Sequence, residues 1–554
     1  PGQVHRFTLP LLDGRLADVA AEQRGVDVLL RVLGPGGDTI MVVDSPNGRW
    51  GVEPAYFTDR PSGRYTILVS PLRPEAPPGS YRISLTREGP TATTEEERVQ
   101  QLFLPWDREG YPGASVAVTH DGELVFTGGF GEAQLEYGIP ITSSTPFPVA
   151  SVSKQFTAFA VAVLLQEGRL SLNDNIRTYL PEIPDYGEVI TIGHLLHHTS
   201  GLRDWWTLLP LAGWRRDDVF TQGQILRMIV NQKNLNFPPG EERGYSNTGY
   251  TLLATIVSRL TDTPFPEWME DRVFQPLGMT QTHFSGDHRD LVSSRAYSYQ
   301  ELSSGELRKA VLNNANFGAT GLFTTSEDLA RWMVNLDEGT VGGPRILRLM
   351  HETLTVLDSG DTLEYAMGLD LGTYRGLRTV GHSGTDAEYR TYAVRFPDQK
   401  LSVNVLANTS NVSPSRLALA IASIYLEEEM EHAGGEEPLE PSYLRRIESG
   451  EESPGQEPLE PIDPARVRLA DYEGRFFSSE LGTYYDIQAE RGKLLALHLR
   501  HEPVILTPIG VDAFSGGIHF FLEARFQRDD RGRVAGMSVS NRGVRGLRFE
   551  RVAR

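Results

Sequence analysis

Apolar and polar positions follow two rhythms along the chain. Over residues 1–90 they change at nearly every second position in short runs, at 4–9, 26–32, 39–43, 64–69 and 80–85, which predicts strands. Gly-Pro-Gly-Gly at 34–37 and Pro46-Asn47-Gly48 separate two of the runs and are turn signals. The same short rhythm returns after residue 466, in runs at 472–477, 484–488, 493–499, 504–507, 519–526, 533–539 and 544–549. Even spacing and alternation there predict a closed antiparallel barrel.

The middle of the chain mixes this rhythm with a helical one. Phe156, Phe159, Ala160, Val163 and Leu164 recur at helical spacing. Pro146 and Pro148 forbid a helix before them, so the helix opens near Ser151. Further helices are predicted between Thr191, a cap, and Gly201, a stop, over 249–260 behind a loop carrying Tyr245 and Asn247, over 329–336 behind a Thr325-Ser-Glu-Asp328 capping box, and over 417–427. Strands are predicted at 114–120 and 123–128 around the Asp121-Gly122 turn, and at 377–380, 389–396 and 401–407. The expected fold class is multidomain. An N-terminal β-sandwich spans 1–90 and a polar linker 89–99. An α+β domain, an antiparallel sheet flanked by helices plus an all-helical region, spans 100–428. An acidic, proline-rich linker over 429–465 contains Glu-Pro-Leu-Glu-Pro twice, and the C-terminal β-barrel spans 466–554.

Composition narrows the function. A chain of 554 residues holds three or four domains at about 150 residues each. Its longest apolar run, 158–165, is far below the ~20 residues that span a bilayer. The net charge of -20 repels phosphate backbones and argues against nucleic acid or anionic membranes as partners. Without cysteine there are no disulfides, thiolate nucleophiles or cysteine-held metals. The chain starts at Pro1 without a signal segment, which reads as a processed or trimmed protein, and the expectation is a secreted or periplasmic bacterial one.

The candidate chemistry starts at Ser151-x-x-Lys154. A serine at a helix N-terminus either caps the helix or acts as a nucleophile beside free backbone N–H groups. Lysine three residues on reaches the same face. It is also scarce, with five lysines among 53 basic side chains, and unlike arginine it can lose its proton and serve as a base. His194 and His198, at i and i+4, have the separation of two metal ligands, but the intervening glutamate base and a third ligand are missing, so no metal or cofactor is expected. Asp44 and Asn47 read as turn caps rather than calcium ligands. Trp205, Trp206 and Trp214 either wall a substrate pocket or pack in the core.

Ser151-x-x-Lys154, Tyr245-x-Asn247 and His382-Ser383-Gly384 occur in order. With 191–202 and Pro276-Leu-Gly-Met279 they make residues 100–426 resemble the serine β-lactamase and penicillin-binding-protein superfamily, near class C enzymes, D-aminopeptidases and esterases. Residues 1–88 resemble the small β-sandwiches appended to secreted bacterial peptidases, and the C-terminal region resembles a lipocalin-like domain. The resemblance implies an acyl-enzyme on Ser151, with Lys154 and Tyr245 sharing the proton transfers in an order the sequence leaves open. It further implies that Asn247 holds Lys154 and a substrate amide, that the N–H groups of Ser151 and Thr385 form an oxyanion hole, and that Gly384 lets substrate lie along a strand edge. Where β-lactamases of this superfamily carry a lysine for the substrate carboxylate, this chain has His382, neutral at pH 7 unless a nearby acid raises its pKa. The expectation is therefore a serine hydrolase of small peptides, amides or esters. The alternatives are a β-lactamase or D-Ala-D-Ala carboxypeptidase, and a non-catalytic acylatable sensor; the sequence leaves the oligomeric state open.

Overall fold

The computed structural model describes residues 2–45, 48–58, 62–73, 76–302, 304–431 and 467–553. Almost all of the acidic segment 429–465 lies outside the described residues, as do Pro46 and Asn47 of the second N-terminal turn.

The N-terminal region holds two antiparallel sheets. One has four strands, in the order His5–Leu11, Gly63–Pro71, Val28–Leu33, Thr39–Val43, and the other three, in the order Trp50–Thr58, Arg15–Arg24, Ser80–Pro90. Leu30, Val32, Tyr65, Val19, Ala21 and Phe57 make their shared core. Two of these seven strands escape the sequence pattern. Arg15–Arg24 is alanine-rich and shifts register between Asp18 and Val19, which breaks the alternation. Trp50–Thr58 carries Pro54, a residue that argues against a strand, and the charged Glu53, which is fully buried. Glu53 is tolerated because its carboxylate accepts from Gln23 Nε2 at 2.8 Å and Ser45 N at 2.6 Å.

The expected linker 89–99 is partly structured. The last strand runs to Pro90, and Thr94 caps a helix, Glu95–Phe103, by accepting from Glu97 N. Its apolar face, Val99, Leu102 and Phe103, drives the helix onto a six-stranded antiparallel sheet. In chain order that sheet comprises β1 (Ala114–His120), β2 (Glu123–Phe130), β3 (Asp370–Tyr374), β4 (Leu377–Asp386), β5 (Tyr389–Phe396) and β6 (Leu401–Ala407). The strand order is β3-β4-β5-β6-β1-β2, so the two ends of the domain meet inside the sheet, where β6 pairs with β1. Glu95–Phe103 and Pro414–Tyr425 share one apolar cluster on the sheet, and Ser326–Glu338 packs against β6 and β1. The helical region is built around α1 (Ser153–Gln166), which is buried at every position from Ser153 to Leu164. α1 packs on α3 (Asn247–Thr261).

The C-terminal region is a closed antiparallel barrel of eight strands, from Gly474–Ser478 to Val544–Val552, the last pairing with the first through Arg475 and Val552. Ala513–Ser515 is the strand the sequence pattern missed, too short to show alternation. Phe476, Tyr485, Leu494, Met537 and Phe549 fill the interior. A helix of the central domain, α2 (Trp205–Leu211), belongs to both cores: Leu208 and Leu211 sit in the barrel's cluster, Trp205 and Leu209 in the central one.

Candidate active site

Ser151 sits on a tight turn. Phe147–Pro148 pairs with Leu322–Thr324, then Ala150 takes a positive φ of 48° and turns the chain into one 3₁₀ turn, Ala150–Val152, that continues as α1. Such a φ on a residue with a Cβ is costly and persists only where packing imposes it; Val149 and Val152, both fully buried, are the anchors on either side. Neither Val149 nor Val152, the residues at the two helical starts, makes a side-chain cap, and the Ser151 hydroxyl is not a capping group. Its partner is Lys154 Nζ, at 3.0 Å.

The lysine nitrogen has three neighbours: Ser151 Oγ, Asn247 Oδ1 at 2.8 Å and the Ala319 carbonyl at 2.9 Å. Two of them can only accept. A neutral amine has two N–H bonds, which go to those carbonyl oxygens, and its lone pair is left facing the serine hydroxyl. Lys154 has no exposed surface, and burial lowers its pKa to about 7 against the opposing pull of Asp204 and Asp386. Tyr245 lies beside it, with the lysine nitrogen 4.9 Å from its ring centroid. Although 41% of the residue is exposed, the surrounding protein shields the phenol and pushes its pKa up, partly offset by its hydrogen bond with Ser151. At neutral pH the phenol is therefore protonated, while the amine is close to half deprotonated.

Asn247 is the first residue of α3 rather than a loop residue. β4 also runs further than its apolar run suggested, through His382 to Asp386. His382, Gly384 and Asp386 face inward, and Ser383 and Thr385 outward. A Cβ on Gly384 would overlap the Val149 carbonyl oxygen, so only glycine lets β4 lie this close to the Ser151 turn. β3 pairs with β4 only as far as Gly381, and no strand among the described residues covers the following stretch on that side, which leaves an edge for an extended ligand.

At His382 the nearby acid does not prevail over burial. The residue is 3% exposed, and desolvation lowers its pKa, outweighing Asp370, which raises it. Its Nδ1 lies 2.6 Å from the Ser383 carbonyl, a pure acceptor, so Nδ1 carries the hydrogen and Nε2 the lone pair. That Nε2 is buried and has no partner among the described residues. The side chain is a neutral acceptor, not a cation.

Residues 92–426, more than half of the chain, match the Beta-lactamase family model. The chain belongs to the β-lactamase family. Among its relatives are a D-aminopeptidase of Gluconobacter oxydans, 28% identical over 56% of this chain and 58% of that one, and penicillin-binding protein 4* of Bacillus subtilis, 28% identical over 56% of this chain and 71% of that one. The chain thus spans about three fifths of the D-aminopeptidase it matches. Among solved structures, the octameric penicillin-binding protein homologue from Pyrococcus abyssi has the same fold at 22% identity, with a TM-score of 0.54 over 82% of this chain and 99% of that one.

In this β-lactamase-family domain the site also contains groups that sequence reasoning missed. Asp204, 5% exposed, accepts from the Asn247 backbone N–H at 2.8 Å and from its side-chain amide. An acceptor on the amide nitrogen fixes which way Asn247 faces, and so presents Oδ1 to Lys154. Arg203-Asp204 follows a loop without periodicity, and nothing in its spacing signals this role. His198 lies against Tyr245 with the rings tilted by 36° and their centroids 4.4 Å apart; its Nδ1 accepts from Ser246 N and its Nε2–H donates to Tyr365 Oη at 3.1 Å. The helix carrying His194 ends at Leu196, and His198 takes a φ of 60°, so the two histidines share no helical face as metal ligands would. His194 instead closes a capping box with Thr191. Trp205 is 1% exposed and donates its indole N–H to Thr251 Oγ1, which makes it a core residue, and Trp206 and Trp214 pack partly buried against the same core.

Proposed function

We propose that this β-lactamase-family protein is a serine hydrolase that cleaves small amides and peptides with a free amino end, D-amino-acid amides first, through an acyl-enzyme on Ser151. The observation that carries the reading is the three-way setting of the Lys154 nitrogen, whose two pure acceptors leave its lone pair for the serine proton. Lys154, with a pKa near 7, takes that proton as Oγ attacks the substrate carbonyl. The oxyanion that forms is met by the N–H groups of Ser151 and Thr385, each worth about 3–4 kcal/mol to the transition state. When the C–N bond breaks, the leaving amine takes the Tyr245 phenolic proton, and the Lys154 ammonium reprotonates the phenolate. Water then repeats the sequence on the ester and frees Ser151.

His382 supports the amine side of the substrate choice. A neutral imidazole with a bare lone pair attracts N–H donors and has no charge to offer a carboxylate, which disfavours β-lactams and peptides ending in a free carboxylate. The relatives named D-aminopeptidase agree with this preference. The test compares D-alanyl p-nitroanilide, its N-acetylated form, a p-nitrophenyl ester and a chromogenic cephalosporin, each with Ser151→Ala as control. The reading predicts turnover of the free-amine anilide above the acetylated one and little cephalosporin hydrolysis, with Ser151→Ala at least about 10⁴-fold slower and still folded. Cephalosporin turnover above anilide turnover would reverse the assignment, and a stable acyl adduct without turnover would favour the sensor.

A further inference from the structure

The C-terminal barrel does not merely sit beside the central domain. It grips the segment that holds Asn247. Arg203 and Glu480 form an ion pair at 2.6 Å with side chains 1% and 3% exposed, and the same Glu480 oxygen accepts from Lys233 N at 2.8 Å. Arg203 Nη2 donates to the Arg545 carbonyl at 3.0 Å. One residue on, the Asp204 N–H donates to the Gly543 carbonyl at 3.0 Å, and Asn236 Nδ2 donates to the same oxygen at 3.0 Å. α2 follows at once, with Leu208 and Leu211 in the barrel core and the Leu211 carbonyl accepting from Tyr485 Oη at 3.2 Å. From the other side, Thr248, next to Asn247, donates to the Arg203 carbonyl at 2.7 Å and accepts from Trp205 N at 3.0 Å.

We infer that the barrel completes the active site at a distance: through the Asn541–Val544 hairpin and α2 it positions Asp204, which orients Asn247 and thereby the Lys154 amine. Asp204 is a positioning residue, and the hairpin is the barrel element that sets it. The inference rests on the Ser151–Lys154 reading above and deepens it. It implies that a change confined to the barrel is felt as a change in how readily Ser151 is acylated, whatever substrate the enzyme takes in nature.

Gly543 offers a way to push on Asp204 without touching the site. An alanine Cβ there would lie 2.5 Å from Thr207 Oγ1, 3.0 Å from Thr207 Cγ2 and 3.0 Å from Asp204 Cβ. Thr207→Ala removes the first two of these atoms. The experiment measures, in the full chain, the rate at which a fluorophosphonate labels Ser151, together with kcat and KM on D-alanyl p-nitroanilide and the melting curve. Gly543→Ala is expected to slow labelling and kcat about tenfold or more, with KM within about twofold, and Gly543→Ala/Thr207→Ala to recover most of the loss. Tyr485→Phe, which keeps the barrel packing and loses the bond to α2, is the second variant and is expected to slow labelling severalfold. Labelling at the wild-type rate in Gly543→Ala and Tyr485→Phe overturns the inference. So does a loss that Thr207→Ala does not relieve, or one that appears as a parallel rise in KM. Labelling reports on the inference even if the anilide is not turned over, in which case only the substrate assignment fails.

Discussion

The two β-rich ends of the chain are both attached to the central domain, and they are attached differently. The N-terminal sheets meet it at the helices remote from the site: Arg416 donates to the Pro54 carbonyl at 2.6 Å, and Tyr56 donates to Gln101 at 3.2 Å. Burial lowers the Arg416 pKa, and Glu53 and Asp18 oppose that shift. The barrel meets it at Arg203, Asp204, Asn236 and α2, one residue contact from Asn247. Similar polar anchors thus serve a peripheral attachment in one case and the support of Asn247, a hydrogen-bond partner of Lys154, in the other. What separates them is where each lands relative to Lys154, not how strong each is.

That contrast is sharpest at the residue where barrel and site meet. Asp204→Asn replaces one acceptor by an amide that can face Asn247 the wrong way. Losing a hydrogen bond to a charged group costs about 1.5–3 kcal/mol, so kcat should fall about tenfold to a hundredfold, read as initial rates on D-alanyl p-nitroanilide. Next in size is Glu480→Gln, which leaves Arg203 buried without its counter-ion. The expected stability loss is about 3–5 kcal/mol, read by urea unfolding, together with a severalfold loss of turnover. Smallest is Arg416→Met, which cuts the N-terminal attachment. It should change kcat by less than about twofold while costing about 1–3 kcal/mol at that contact, seen as faster amide exchange in the first 90 residues. If Arg416→Met and Glu480→Gln reduced turnover equally, the two ends would not differ in kind.

The candidate site residues were easier to read from the sequence than the groups that support them. Ser151, Lys154, Tyr245 and His382 stand in short local patterns, and a three-residue offset across the 3₁₀ turn and the start of α1 brings serine and lysine to one face. The class of the fold was equally legible, because period-two runs at both ends and mixed rhythms between them are local signals. What stayed hidden depends on distant partners. Asp204 acquires its role from Asn247, 43 residues on, and from a hairpin more than 300 residues away. That burial outweighs Asp370 at His382 depends on the packing around the ring, and no spacing encodes that. Arg15–Arg24 and Trp50–Thr58, which pair with each other, escape the pattern because alanine, a register shift and a proline break the alternation.

What the proposed chemistry needs most is one amine beside the serine hydroxyl, that of Lys154, which gives up its proton near pH 7. The chain has five lysines, Lys154, Lys233, Lys309, Lys400 and Lys493, few enough to follow each by ¹³C-methyl NMR after reductive methylation of unfolded and refolded protein, or more gently by ¹³Cε labelling of the native chain. In the native, ¹³Cε-labelled protein, a single resonance should titrate near pH 7, disappear in Lys154→Met, and share its midpoint with the acid limb of kcat/KM. Five resonances that all titrate near the ordinary lysine value of about 10.4, with an activity profile flat through neutrality, would contradict it.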